Sequence, residues 1–542
     1  MTFIKNAWII FLYFGLAVIP YFSNINEGNI FFVYYKSIIK AAAIIVITGF
    51  FVFMFVKTEF IDNSIKLNKK IIIATLIFWT LINGILINLL HNSFYYSAFD
   101  IAYFDNIYWN FFRGDYFYSS MLNMNSLAHH FSPIMIINGI IYKIFPVPLT
   151  AMFFVRTFFL SLGGLAVYKI CLEKKLSDIS SFIIFLIYFI FPATAYYTLD
   201  VFHPEDYVIV CFLWAYLMLL KDKLLSAFIL FLIAAYSKED AAPAIFILYL
   251  ILFFEKKNKK LLYSAIFFVI FFAVVFAVII PIIRPADFSP FWLHRYSEFG
   301  GSLGGIVKTA IYHPALILKK FFIIENIAYF TFLFAPLLFF PLVSIKYLLP
   351  FFPAFLFNLL ANYSPQKQIM NCYQYIFIAV VWIALIDATV KIESLRRVKM
   401  LLAILAACAA AGFLWGPFPY ARTFYLTKKN PYICDKSYIA AKKLIAKIPE
   451  DSIVSSTEKI LPHLSHHRKI QWSGLQLKYP ENFQSGYCEK PDFYLLDISF
   501  VDSLHFSVEN KVKYVELISS ILTDSQYSVK EESGNWILLK KN

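Results

Sequence analysis

The residues best suited to chemistry lie at 97–120, "SAFDIAYFDNIYWNFFRGDYFYSS", where Asp100, Asp105, Arg113 and Asp115 stand among aromatic rings between two long apolar runs. A carboxylate in such a half-dry setting becomes more basic, so it can take a proton from a hydroxyl or help hold a divalent cation. The apolar spacing of "DIAYFDNIYW" predicts a helix, on which residues five apart are offset by about 140°. Asp100 and Asp105 would then flank one face. The plain alternative for either acid is a helix cap or a solvated side chain.

Four further groups of polar residues interrupt the apolar sequence. "AHHFSPI" carries His129 and His130 before Pro133; it reads as a helix boundary, or as an imidazole that donates to a phosphate or sugar hydroxyl. "DVFHPED" packs Asp200, His203, Glu205 and Asp206 into seven residues. Pro and acids suit the first turn of a helix, but this is more than a cap requires. "YSKEDAAP" opens a helix with Lys238, Glu239 and Asp240. The acids suit the helix dipole there and the lysine does not, which calls for an anionic ligand or an ion pair with a neighbouring loop. "RPADFSPFWLHRY" adds Arg284, His294 and Arg295, followed by "EFGGSLGG". That glycine-rich piece lacks the Lys-Ser/Thr ending of a phosphate loop and reads as a lid or a linker.

These groups need a frame, and composition supplies it. Of 542 residues, 60% are hydrophobic and 15% charged, with mean hydropathy +0.67. A soluble domain needs a more charged surface, and a helix of about 20 apolar residues crosses about 30 Å of hydrocarbon. The chain is therefore expected to be an all-α polytopic membrane protein. Spans are predicted near 7–22, 30–56, 71–90, 150–172, 179–198, 206–220, 224–236, 241–254, 261–283, 326–345, 347–361, 373–390 and 400–416, with a further half-buried helix at 133–146. The first reads as a span because no small-residue cleavage site follows it.

Counting thirteen spans from a cytoplasmic N-terminus puts the basic loops 57–70, 173–176, 221–223, 255–260 and 391–399 inside. The net charge of +14 then encodes orientation and implies no nucleic-acid partner. Lys36 and Lys40 are the misfit, near the outer end of the second span. The large loop 91–149, the turns at 199–206, 237–240 and 362–372, the loop 284–325 and everything after 417 fall outside. All the groups above thus open on one face, an arrangement suited to a phosphorylated or hydroxyl-rich head group whose tail lies in the bilayer.

Residues 1–416 are expected to form the membrane domain and 417–542 a small extracytoplasmic α/β domain. In the latter, "DKSYIAAKKLIAKIPEDSIVSS" reads as an amphipathic helix, a turn and a strand. "PDFYLLDIS" and "YSVKEESGNWILLKK" read as further strands, the last with a turn at Ser533-Gly534. The six cysteines lack the spacing of a structural metal site. Cys171, Cys211, Cys372 and Cys408 read as apolar filler; Cys434 and Cys488 are free or bridged according to compartment.

The segments "FDIAYFDNIYWN", "HFSPI", "FHPE", "KED" and "IPEDSIVSSTEKILPHLSHHRKI" resemble, in order from about residue 90 to 500, the predicted membrane proteins grouped as domain of unknown function 2079. That family is similar to the GT-C glycosyltransferases that use polyprenyl-phosphate-linked sugars. The resemblance implies transfer of a sugar to an acceptor with inversion, at the outer face of the cell membrane. It implies an acidic residue near the start of the first outer loop, matched best by Asp100 and next by Asp105. It also implies groups that bind the donor's head from other outer loops. Candidates by position are His130, His203, Glu205, Lys238, Glu239, Asp240 and Arg295. Loop one lacks an adjacent Asp-Asp or Asp-Glu pair, which leaves the cofactor open; a divalent cation at Asp100 and Asp105 is one candidate. The rival classes are a lipid or solute transporter, which would show an inverted repeat and ionisable groups near mid-membrane, and a non-catalytic scaffold of envelope assembly, which needs none of these polar groups.

Overall fold

The structure is a computed structural model that describes residues 30–56, 66–285, 288, 290–422, 430–474, 489–498 and 508–542. The expected first span, 7–22, and Cys488 lie outside the described residues, as do the side chains of Lys36 and Lys40. The other expected spans each overlap a helix.

Six helices among the described residues are long and apolar enough to cross a membrane: Lys69–Asn92, Pro148–Glu173, Lys259–Ile283, Phe340–Leu360, Cys372–Val390 and Arg396–Trp415. A seventh candidate is the pair Asp178–Ile190 and Pro192–Leu199, bent by 51°. The bend comes from Pro192, which holds Phe191 extended and ends the preceding helix. Asp206–Leu220 and Leu224–Ser237 are apolar but shorter, reaching about 21–23 Å. They pack against each other on either side of the turn at Lys221 and Asp222, and Leu224–Ser237 leaves Leu225 and Ile229 exposed on its other face. Cys372–Val390 lies at the centre of the bundle, with 83% of its most apolar window buried, and Lys259–Ile283 at its periphery, with 17%.

The stretch 326–345, expected as one span, is two pieces. The helix Ile324–Phe334 stops at Ala335–Leu337, and Leu338 and Phe339 take φ of 51° and 55°. Pro336 and Pro341 remove the donors that would carry the helix on. The expected helix at 133–146 is Met135–Ile144. "EFGGSLGG" is ordered as a pair of caps: Gly300 and Gly301 take φ of 84° and 60°, and the Ser302 hydroxyl accepts from the Gly305 N–H (2.9 Å) to start the helix Leu303–Tyr312.

The first large loop holds a helix, Tyr103–Phe111, and a small antiparallel pair, β1 (Tyr118–Ser119) and β2 (Met124–Asn125). The C-terminal part has the amphipathic helix Lys436–Ile445, the helix Val508–Leu522, and a mixed five-stranded sheet of β3 (Ile453–Ser456), β4 (Lys469–Trp472), β5 (Phe493–Asp497), β6 (Tyr527–Ser533) and β7 (Trp536–Lys541), in order β4-β3-β5-β7-β6. β3 runs parallel to β4 and β5; β6 and β7 form a hairpin turned at Gly534, φ 60°.

This sheet is seated on the first loop through polar contacts. The Asn106 amide donates to the carbonyls of Ser465 (2.8 Å) and His467 (2.9 Å), and that of Asn110 to Arg468 (3.2 Å). The Ser120 hydroxyl accepts from the Ile470 N–H (3.1 Å), and Trp109 stacks on His466 at 4.2 Å. Asp105 sits at the middle, fully buried, accepting from Tyr142, Ser465 and, at 3.2 Å, His466. Burial alone would raise the Asp105 pKa, but the His466 charge and the hydrogen bonds hold it below its usual value. Burial opposes a charge on His466, and Asp105 nevertheless raises its pKa.

Linkage gives this seat a pH window. The Asp105 contribution is present above the unfolded carboxylate pKa and is lost as pH falls through the lower folded value. The His466 contribution is present below the unfolded imidazole pKa and is lost as pH rises through the raised folded value. Resistance to proteolytic release of residues 430–542 should therefore be greatest between about pH 4 and 6.5 and fall on both sides. Asp105→Asn should lower it by about 1.5–3 kcal/mol and flatten the profile.

Candidate functional site

Asp100 does not lie on the predicted helix. The helix Lys69–Asn92 ends at Ser93, and a kinked turn at Ala98–Ala102 leads into the helix Tyr103–Phe111; at the kink Asp100 takes φ 74° and ψ −80°. A non-glycine residue held there costs of order 1–3 kcal/mol and persists only where its surroundings impose it. One such constraint is the Tyr96 hydroxyl, which donates to the Leu199 carbonyl (2.7 Å) and fastens this break to the turn at 199–206.

Arg156 shapes that turn. It lies 2% exposed inside the helix Pro148–Glu173. Its Nη1 donates to the carbonyls of Thr198 and Asp200 and its Nη2 to that of Tyr197, each at 2.7 Å. Nε and Nη2 also grip the Asp206 carboxylate at 2.7 and 3.1 Å. All five guanidinium donors are used, and both arms of the turn are held from one side chain. Arg156 was not among the residues singled out from sequence; its signal was a lone arginine in an apolar span, where ionisable groups are rare and paired.

The clamped turn presents His203 and Glu205, both buried. The His203 ring meets the edge of Phe104, and its Nε2 stands 3.7 Å from Asp200 Oδ2, an ionic contact too long for a hydrogen bond. Lys238 crosses from the turn at 237–240 to Glu205 at 2.7 Å, so the misplaced lysine is answered by an ion pair between loops. Glu239 accepts from the Phe131 N–H (3.0 Å) and meets His130 Nδ1 (2.9 Å), tying in "AHHFSPI". The Tyr375 hydroxyl donates to Asp240, tying in the helix Tyr375–Val390.

His130, His203, Glu205, Lys238, Glu239 and Asp240 are thus brought into one linked network, with Asp100 within range of its charges. Burial raises the Asp100 pKa, helped by Asp200 and Glu205 and opposed by His203 and Lys238. Burial also works against ionised Glu205, yet Lys238 and His203 hold its pKa down to about 2. For His203, burial lowers the pKa, and Asp200, Asp100 and Glu205 outweigh it, raising the value to about 9. Asp240 is raised to about 6 by burial and by Glu239. Asp100 and Asp240 are the acids suited to take up protons; Glu205 is a fixed charge.

Arg295 borders the network. Its guanidinium lies 4.2 Å from the ring centre of Tyr363 and 5.4 Å from that of Tyr373, and donates to Gln366 (3.1 Å). Both tyrosines lie within range of the Asp100 charge. Asp105 has other partners, Tyr142, Ser465 and His466. The hydrogen bonds from Asn106 and Asn110 point that helix face at the sheet, which residue spacing alone does not reveal.

Breaking the Lys238–Glu205 pair from one side should be costly, because it strands a buried charge. Lys238→Met is expected to lower stability by about 3–5 kcal/mol, read by thermal unfolding of the purified protein in detergent. Lys238→Met with Glu205→Gln should recover most of the loss, as a double-mutant cycle would show.

Comparison with curated proteins finds no match. Among solved structures, the chain is similar to ArnT from Cupriavidus metallidurans. Against the form bound to undecaprenyl phosphate the TM-score is 0.44 at 8% identity, covering 86% of this chain and 97% of that one. Against the apo state it is 0.37 at 11% identity, covering 82% and 93%. A family model described as predicted membrane protein (DUF2079) matches residues 90–538, and the chain belongs to that family.

Proposed function

We propose that the chain is a membrane glycosyltransferase of the GT-C kind, which moves a sugar from a polyprenyl-phosphate-linked donor to an acceptor hydroxyl at the extracytoplasmic face. The observation that carries this reading is Asp100: a carboxylate at positive φ, raised in pKa by burial, within range of the His203, Glu205 and Lys238 charges and shortly beyond the end of an apolar helix. Strain of this sort collects at functional sites, and a raised carboxylate is a better base.

In the proposed step, Asp100 takes the proton of the acceptor hydroxyl as that oxygen attacks the anomeric carbon. The bond from that carbon to the phosphate oxygen breaks, and its electron pair leaves with the lipid phosphate. With no enzyme nucleophile the configuration inverts. The leaving phosphate needs positive charge more than it needs an acid; Lys238, His203 and the partly exposed Arg295 are the residues proposed to supply it. Glu205 holds Lys238, Glu239 holds His130, and Asp240 completes the binding face.

The proposed membrane placement has thirteen spans, a cytoplasmic N-terminus, and residues 417–542 as an extracytoplasmic domain. The direction of the short helices supports it. Asp206–Leu220 runs from the polar network to Lys221, Leu224–Ser237 returns from Lys223 to Lys238, and Ala241–Lys256 leaves again. Lys256 meets Asp222 (2.8 Å) at the end away from the network. Basic loops at one end and the network at the other suit the positive-inside pattern.

The test is glycosyl transfer in native membranes holding wild type, Asp100→Ala or Asp100→Asn at matched expression, with radiolabelled polyprenyl-phosphate sugars as donors. Wild type should transfer label, and either variant should lose about 100-fold or more. The wild-type rate should rise with pH through the raised Asp100 pKa, because the base must be deprotonated. Equal transfer by wild type and variants would remove Asp100 from the mechanism.

A further inference from the structure

Beside Asp100, three groups of different chemistry meet. The Sγ of Cys372, the Nε2 of His203 and a carboxylate oxygen of Asp200 all lie within 4.8 Å of one another. Cys372 opens the central helix Cys372–Val390, and the other two stand on the turn that Arg156 clamps, so the pieces are positioned independently.

His203 is 2% exposed and its Nε2 makes no hydrogen bond, its charged neighbour being the Asp200 carboxylate at 3.7 Å, so a desolvated nitrogen borders this space. The nearby cation does not fill the gap, because Lys238 is held by Glu205 at 2.7 Å. Asp100 lies within electrostatic range of both Cys372 and His203. The space is thus lined by an imidazole nitrogen, a thiol and the Asp200 carboxylate, with the Asp100 charge in range, a set that favours a cation.

We infer that Asp200, His203 and Cys372 bind a thiophilic divalent cation of the zinc class. A sulfur with an imidazole selects zinc-like ions, whereas magnesium and calcium prefer all-oxygen sites. Tetrahedral zinc with bonds of about 2.0–2.3 Å places ligand atoms about 3.3–3.8 Å apart, and the 3.7 Å between His203 and Asp200 already meets this. On binding, the Cys372 thiol and the protonated His203 imidazole each release a proton to solvent, and the thiolate and the freed Nε2 lone pair form the bonds to the metal. The positive charge proposed for the leaving phosphate then rests with Lys238 and Arg295. Three protein ligands leave one coordination position open.

The test uses the full-length protein in detergent, with zinc or cobalt as the probe and no sugar donor, so its result is independent of the transferase reading. Wild type should retain about one zinc per chain after washing, lose it to a strong chelator, and show thiolate-to-cobalt charge-transfer absorption when loaded with cobalt. Cys372→Ser should lose that absorption and His203→Ala should lose retained metal. Cys434→Ser with Cys488→Ser, which leaves Cys372 in place, should keep both and guards against a variant that fails to fold. Wild type without the absorption, absorption that disappears in the Cys434/Cys488 variant, or unchanged metal retention in Cys372→Ser and His203→Ala would each overturn the site.

Discussion

A guanidinium buried among apolar helices must have its donors met, and Arg156 meets all five within one turn of chain. The rest of the polar face depends on that constraint. Three of its acceptors are consecutive or near-consecutive carbonyls at the end of a bent helix, and the other two are the oxygens of the acid that starts the next helix. One side chain therefore sets the separation of the two helices and the shape of the turn between them. Removing it would leave buried acceptors and the Asp206 charge unanswered, where there is little water to replace it.

From this turn a relay of pairings extends across the polar face. The shaped turn offers Glu205 to Lys238; the turn carrying Lys238 offers Glu239 to His130; its last acid, Asp240, receives the hydroxyl of Tyr375. Each link joins one connection to another, so residues scattered from 96 to 375 are held together although most of their neighbours are apolar. The network carries more acid than base, which explains how burial produces opposite results on similar groups. Glu205, next to a cation, remains charged, whereas Asp100 and Asp240, with acids beside them, are pushed toward the neutral form.

Loop one serves two purposes on two faces. Asp100 precedes its helix and turns to the network; Asp105, Asn106 and Asn110 lie on the helix and seat the C-terminal sheet. The sheet thereby rests on the same short element that positions Asp100. This links the placement of the soluble-looking part of the chain to the strain at the candidate base.

Much was legible in the residues alone. Long apolar runs separated by basic loops can only be helices in a membrane, because the backbone must satisfy its own hydrogen bonds there. The turn at Ser533-Gly534 between two strand-like runs marked the β6–β7 hairpin, and rare polar residues in an apolar chain marked the clusters worth watching. The stretches 179–198 and 326–345 were both read as continuous spans, and the bend at Phe191 and the break near Leu338 emerged only in the structure. Only the tertiary structure decided which polar residues meet. It gave Asp100 and Asp105 different partners, paired Lys238 with Glu205, gave Arg156, unremarked in the sequence, its place at the turn, and set Cys372, read as apolar filler, beside Asp200 and His203. The reason is physical: hydropathy and periodicity are local, whereas the pairing of buried charges depends on the packing of helices far apart in the chain.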